Sequence, residues 1–149
     1  NVMYNPETGD IKITDFGIAR ITDSSRTRTG AVLGTPSYMA PEQLSGKNLT
    51  GRSDIYSLGV TLYQLLTGAL PFRADSMAAL MYKIANGIYE PLLVLRPDLL
   101  DCVGETLDRA LATDPERRYR AGGDLAKALR ECGTHLIGSD MTERTGHAA

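Results

Sequence analysis

Apolar and polar positions change rhythm several times along this chain. Val2 to Tyr4 and Ile11 to Thr14 are short strand-like runs around Asn5-Pro6-Glu7-Thr8-Gly9-Asp10, a set of residues that favours a tight reversal. The pattern predicts a small antiparallel hairpin. Positions 18 to 40 lack periodicity and are crowded with Thr, Ser, Arg and Gly, which predicts a long surface loop ending at Pro41.

From Ser53 to Leu66 the chain is apolar almost all round, through Ile55, Tyr56, Leu58, Val60, Leu62, Tyr63, Leu65 and Leu66. A helix of that kind should be buried on every side, and Gly68 and Pro71 stop it. Met77, Leu80, Met81 and Ile84 recur at i, i+3, i+4 and i+7 behind Ser76 and before Gly87, predicting a more exposed amphipathic helix. Leu100, Val103, Leu107, Ala110 and Leu111 repeat the pattern before Pro115. A last helix is expected from about Asp124 to Cys132, ended by Gly133 and followed by a flexible polar tail over 133–149. The class expected is mainly α, with a short hairpin and about four to five helices around one buried central helix.

Composition narrows the options. The 149 residues are 42% hydrophobic and 23% charged, which fits one globular domain or most of one. A net charge of -2 offers no basic field for nucleic acid. The apolar run Ile55 to Leu66 is shorter than the roughly 18 to 20 residues of a membrane span, so no membrane contact is expected from this segment. Cys102 and Cys132 stand far apart in no metal-like spacing and read as ordinary thiols of a reducing, cytoplasmic setting, with a Cys102–Cys132 bridge as the alternative. The chain starts at Asn1 without a leader-like pattern, and the expectation is that it begins inside a longer polypeptide. His135 and His147 have no acidic or cysteine neighbours at ligand spacing and read as surface residues.

Asn1 precedes the first strand and Asp15 follows the second, so antiparallel pairing would bring them to one end of the hairpin. An amide oxygen and a carboxylate are hard donors of the kind that suits Mg²⁺. Asp15-Phe16-Gly17 alone is too short to decide anything, since a strand-ending turn explains it equally well.

Three longer stretches add weight. Asp15-Phe16-Gly17-Ile18-Ala19-Arg20, Gly34-Thr35-Pro36-Ser37-Tyr38-Met39-Ala40-Pro41-Glu42 and Asp54-Ile55-Tyr56-Ser57-Leu58-Gly59 resemble, in order and spacing, the eukaryotic-type (Hanks-type) serine/threonine protein kinases. Arg118 in Asp114-Pro115-Glu116-Arg117-Arg118-Tyr119 is similar to the family's downstream arginine. The resemblance covers about residues 1 to 132 and implies a kinase C-terminal lobe: hairpin 1–14, activation segment 15–42 and helical subdomain 43–132. The wording of the motifs is similar to bacterial members, which are often tethered to the inner membrane.

The resemblance also implies roles. Asp15 would hold the Mg²⁺ or Mn²⁺ that bridges the ATP phosphates, and Asn1, otherwise a turn residue, would match the catalytic-loop asparagine that binds a second ion. Phe16 would pack beneath a neighbouring helix, or simply be a core aromatic, and Gly17 completes the motif. Glu42 and Arg118 would form a buried ion pair tying the activation segment to the helices, against the alternative of two solvated charges. Asp54 would accept from the catalytic-loop backbone, or simply complement its helix dipole. Thr35, in Gly34-Thr35, matches the serine/threonine class, whose hydroxyl contacts the catalytic Asp and Lys. Thr27 and Thr29 resemble a double-threonine phosphorylation switch, with Arg20 as a candidate partner, though a plain Ser/Thr-rich loop reads the same way. Gln64 stands where some arginine-directed kinases have an acid, and Phe72 to Tyr89 would form a docking surface for protein substrates.

The family's Gly-rich loop, ATP-positioning Lys, paired helix Glu and proton-accepting Asp find no match here. The expectation is therefore part of an ATP-dependent protein kinase, inactive without the missing N-lobe, with some of the Ile55 to Leu66 surface uncovered and the isolated chain poorly soluble or partly molten. A pseudokinase or truncated protein-binding module is the alternative.

Overall fold

The computed structural model describes residues 2–13 and 36–143. They fall in two units that divide after Leu33, and each is described by itself.

The first is a hairpin. Strands β1 (Val2–Tyr4) and β2 (Ile11–Ile13) pair antiparallel, with Val2 opposite Ile13, Met3 opposite Lys12 and Tyr4 opposite Ile11. Asn5 makes the reversal: its N–H donates to the Asp10 carbonyl at 2.9 Å, and its own carbonyl accepts from Gly9 at 2.8 Å. Gly9 has a φ of +74°, the left-handed conformation that a side chain disfavours.

The second unit is helical. Among the described residues it holds α1 (Pro41–Leu44), α2 (Gly51–Thr67), α3 (Met77–Asn86), α4 (Leu92–Leu95), α5 (Asp101–Ala110) and α6 (Gly122–Glu143), with 3-10 turns at Pro36–Tyr38 and Pro115–Arg117. The chain is thus mainly α with one two-stranded sheet. None of the described helices is long and apolar enough to cross a membrane.

Helix α2 is the axis of the core. On one side Tyr56, Val60 and Tyr63 join Phe72, Leu80, Ile84, Leu92, Leu107 and Leu111; on another Ile55 meets Ala110, Tyr119 and Leu125. Gly59 lets α2 approach α5 closely, since a Cβ there would lie 3.0 Å from that of Ala110. The helix begins at Gly51, two residues before the sequence pattern suggests, because the Thr50 hydroxyl caps it by accepting from the Arg52 N–H. It is not buried on every side. Leu58 is 43% and Leu65 67% exposed, against the burial on every side that the apolar pattern predicts.

Helix α3 follows its sequence signals: the Ser76 hydroxyl accepts from the Ala79 N–H, and Gly87 closes the helix at a φ of +63°. Gly133 does not close α6. Gly68 and Gly87 end helices in the left-handed conformation, whereas Gly133 is absent from the positive-φ glycines and α6 runs on to Glu143. A glycine inside a helix costs only about 1 kcal/mol relative to alanine. Residues 133–143 are therefore helical rather than an irregular tail, and 144–149 lie outside the described residues. A second correction concerns the cysteines: Cys102 on α5 and Cys132 on α6 are joined as a disulfide, with Cα atoms 5.9 Å apart. Helix packing, invisible in their 30-residue separation, brings them together.

Candidate functional site

Helix α1, the first turn of α2 and the connection after α5 converge on one arginine. Helix α1 begins at Pro41, whose missing N–H is no loss at a first helical position, and this presents Glu42 inward. The Gln43 side chain holds the entry by accepting from the Ala40 N–H at 2.7 Å. Asp114 caps the Pro115–Arg117 turn by accepting from the Glu116 N–H, and Arg118 leaves that turn in an extended conformation.

Arg118 and Glu42 meet in a two-pronged ion pair, Nη1 to Oε1 at 2.7 Å and Nη2 to Oε2 at 2.9 Å. The arginine side chain is 0% and the glutamate side chain 6% exposed. The other guanidinium N–H groups are also used: Nε donates to the Ala112 carbonyl at 2.7 Å, Nη1 to Arg52 at 3.1 Å and Nη2 to Thr113 at 3.2 Å. All five donors of the fork thus have acceptors, the condition under which a buried guanidinium is tolerable. Beneath it lies the Tyr56 ring, 4.8 Å from the guanidinium carbon.

Ser53 completes the carboxylate's surroundings by donating from Oγ to Glu42 Oε1 at 2.8 Å. Burial alone would raise the Glu42 pKa, but the hydrogen bonds from Arg118, from its own amide and from Ser53, with the arginine charge, hold it below the ordinary value. A second, more exposed strap crosses the same junction, an ion pair of Arg52 with Glu116. Among the described residues the buried Tyr56 hydroxyl has no partner, and burial pushes its pKa far up.

Ahead of α1, the Pro36–Tyr38 turn is tied to α2 as well. Tyr38 donates from its hydroxyl to Gln64 Oε1, and its carbonyl accepts from Ser57 Oγ at 2.8 Å. The segment that carries Glu42 is therefore fixed to the central helix on both sides of Ala40. The arrangement is mechanical: it fastens a loop end to a helical body.

Of the residues singled out in the sequence, Glu42 and Arg118 are brought together across 76 positions. Asp54 lies in the first turn of α2, exposed. Asn1, Asp15, Phe16, Gly17, Thr27, Thr29 and Thr35 lie outside the described residues. Sequence reasoning missed Ser53, Tyr56 as the ring beneath the guanidinium, and the three carbonyls. Ser53 carried one usable signal, a hydroxyl in the first turn of a helix that starts beside a buried acid. Among the described residues no cluster of three or more His, Cys, Asp or Glu could hold a metal.

Comparison with known proteins places this geometry in a family. The protein kinase domain matches residues 1–144. "Serine/threonine-protein kinase PknA" of Mycobacterium tuberculosis is 43% identical over 130 residues, covering 87% of this chain and 29% of the relative. "Tyrosine-protein kinase MasK" of Myxococcus xanthus is 40% identical over 139 residues, 92% of this chain and 22% of the relative. "Serine/threonine-protein kinase pkn3" of the same species is 42% identical over 128 residues, 79% of this chain and 23% of the relative. The chain thus spans less than a third of these relatives. With its helical lobe, its hairpin and a match over nearly its whole length, the chain belongs to the protein kinase family, in its bacterial Hanks-type branch.

Proposed function

We propose that the protein carrying this chain transfers the γ-phosphoryl group of ATP to serine or threonine hydroxyls of proteins, and that this chain supplies the metal-binding motif, the activation segment and the helical anchor of that enzyme. The observation that carries the reading is the buried Glu42–Arg118 pair at the end of the segment that begins with Asp15-Phe16-Gly17. Phosphoryl transfer depends mostly on positioning and charge stabilisation, so an activation segment fixed to a rigid body is what such a reaction requires.

Asp15 and Asn1 are the proposed metal ligands, with Thr35 as a further catalytic-site group. Their carboxylate and amide oxygens have the hard donor chemistry that fits Mg²⁺ or Mn²⁺, and the hairpin's open end, where Val2 faces Ile13, favours their convergence. A divalent ion held by Asp15 and Asn1 would supply positive charge to offset the negative charge of the ATP phosphates. Phe16 and Gly17 would set the orientation of Asp15. Asp54, exposed at the start of α2, would accept from the backbone of the loop bearing the catalytic base. Thr27 and Thr29 would be phosphorylated, each gaining about -1.5 to -2 charges with which to order the segment.

The serine/threonine assignment rests on Gly34-Thr35 and on the relatives named for that activity, with the tyrosine-kinase name of MasK as the competing possibility. Residues 1–149 alone would be inactive, because the ATP-positioning Lys and the proton-accepting Asp find no match in them. By analogy with bacterial kinases, the parent would be held at the inner membrane with this domain in the cytoplasm.

The test is phosphate transfer by the whole protein and its Asp15→Asn variant, with mapping of Thr27 and Thr29. The expected result is transfer and threonine phosphorylation in the first and neither in the second. Undiminished transfer by Asp15→Asn would overturn the metal assignment, and an inactive whole protein would favour a pseudokinase or binding module.

A further inference from the structure

We infer that Cys102 and Cys132 form a thiol–disulfide exchange site that reversibly staples α5 to α6 and thereby controls how firmly the Arg118 segment is held. The inference rests on juxtaposition. The two residues are the only cysteines of the chain, they sit on different helices, and their Cα atoms are 5.9 Å apart in the bonded state. That distance lies inside the range a disulfide bridges without moving the backbone. With no third cysteine in the chain, exchange within it has one outcome.

Access and location give the pair consequences. Both cysteines line an open cleft of about 360 Å³ together with Glu105, Arg109, Tyr119 and Glu131. Cys132 is 5% exposed while Cys102 is half-buried, so a reagent entering the cleft meets Cys102 first. Arg109, which lies over the Tyr119 ring at 4.3 Å, lines the same cleft as the acids Glu105 and Glu131. The covalent loop closed by residues 102 and 132 contains Ala112, Thr113 and Arg118, three of the groups that build the Glu42 anchor. It also contains Ala110, Tyr119 and Leu125, which pack against Ile55 of α2. Closing the loop therefore restrains the segment that carries Arg118 to Glu42.

The exchange balances with a small-molecule disulfide such as glutathione disulfide as oxidant. The Cys102 thiolate attacks one sulfur of the oxidant, releases one thiolate and leaves a mixed disulfide. The Cys132 thiolate then attacks the Cys102 sulfur and releases the second. Two protein thiols lose two electrons, the oxidant becomes two thiols, and the protons given up by the cysteines end on those products. A dithiol reductant runs the same steps backwards, attacking the accessible Cys102 sulfur and expelling the Cys132 thiolate.

The test equilibrates the whole protein in glutathione buffers from reducing to oxidising, traps free thiols with an alkylating agent, maps the peptides and records thermal melting of both forms. The expected result is a Cys102–Cys132 cross-linked peptide in oxidising buffer, its loss on treatment with dithiothreitol, and a melting temperature several degrees lower after reduction. Cys102→Ser should melt like the reduced protein in every buffer. Because the wild-type titration needs no substitution, a poorly folding variant leaves the test intact. Full alkylation of both cysteines in oxidising buffer, separate glutathione adducts, cross-links between copies, or identical melting of the two forms would overturn the inference.

Discussion

Replacing Arg118 by leucine strands a buried carboxylate. Glu42 would keep Ser53 as its side-chain donor but lose both prongs of the guanidinium, at 2.7 and 2.9 Å. Removing one partner of a buried pair costs about 3 to 5 kcal/mol. The carbonyls of Ala112, Thr113 and Arg52 lose their donor at the same time, which places Arg118→Leu at the upper end, about 5 kcal/mol. Against a total stability of roughly 5 to 15 kcal/mol this is a large share. With a urea slope of about 2 kcal/mol per molar, the unfolding midpoint should fall by about 2.5 M. The double variant Glu42→Leu/Arg118→Leu removes the stranded charge and leaves the three carbonyls and the Ser53 hydroxyl without those partners, so it should lose about 2 to 3 kcal/mol, less than Arg118→Leu alone. Urea unfolding of wild type, both single variants and the double variant closes the cycle. A cost below about 1 kcal/mol for Arg118→Leu, or strictly additive single effects, would show that the pair does not act as a buried, coupled unit.

Acid should loosen the same joint. The Glu42 carboxyl is held below its ordinary value of 4.5 when folded, so its contribution is complete above that value and is lost as pH falls through the lower folded value. Urea midpoints measured from neutral pH downward should therefore drop less steeply in Glu42→Gln. Asp98 and Glu116, also held low by Arg96 and Arg52, remain in both proteins and cancel from the difference. Tyr56→Phe deletes a buried hydroxyl that has no partner among the described residues and keeps the ring under Arg118, so denaturant melts should show it neutral or more stable by about 1 kcal/mol; a clear loss would reveal a partner for that hydroxyl. Two glycines should answer alanine in opposite directions. A Cβ on Gly104 would sit 2.9 Å from Leu93 Cγ and should cost about 1 to 3 kcal/mol, whereas Gly133, with nothing within 4 Å, should gain about 0.5 to 1 kcal/mol in the same melts.

Punctuation residues explain how much of the fold could be read from the sequence. Helix α3 was legible because Ser76 and Gly87 mark its ends and Leu80 and Ile84 its buried face. Gly133 carries the same mark without the meaning, since whether a glycine turns left-handed depends on the residues after it and on the packing of its helix. Helices α1 and α4 are single turns, too short for a period to register. Leu58 and Leu65 belong to the apolar pattern of α2, but sequence alone does not say which side of a helix its neighbours cover.

The anchor was legible through motif spacing alone. Nothing in composition or periodicity links Glu42 with Arg118 across 76 positions. Three of the groups that satisfy Arg118 are backbone carbonyls, which carry no residue identity and so leave no trace in a sequence. The cysteine pair was hidden for a related reason: its proximity is a product of how α5 lies on α6.

Whether the protein carrying this chain phosphorylates serine and threonine can be read from the label it transfers. The whole protein is incubated with ATP labelled in its γ-phosphoryl group, and the labelled amino acids are identified after hydrolysis. Phosphothreonine and phosphoserine, dependent on a divalent cation, are expected. Label on tyrosine alone, or no label with the cation present, would contradict the proposed activity.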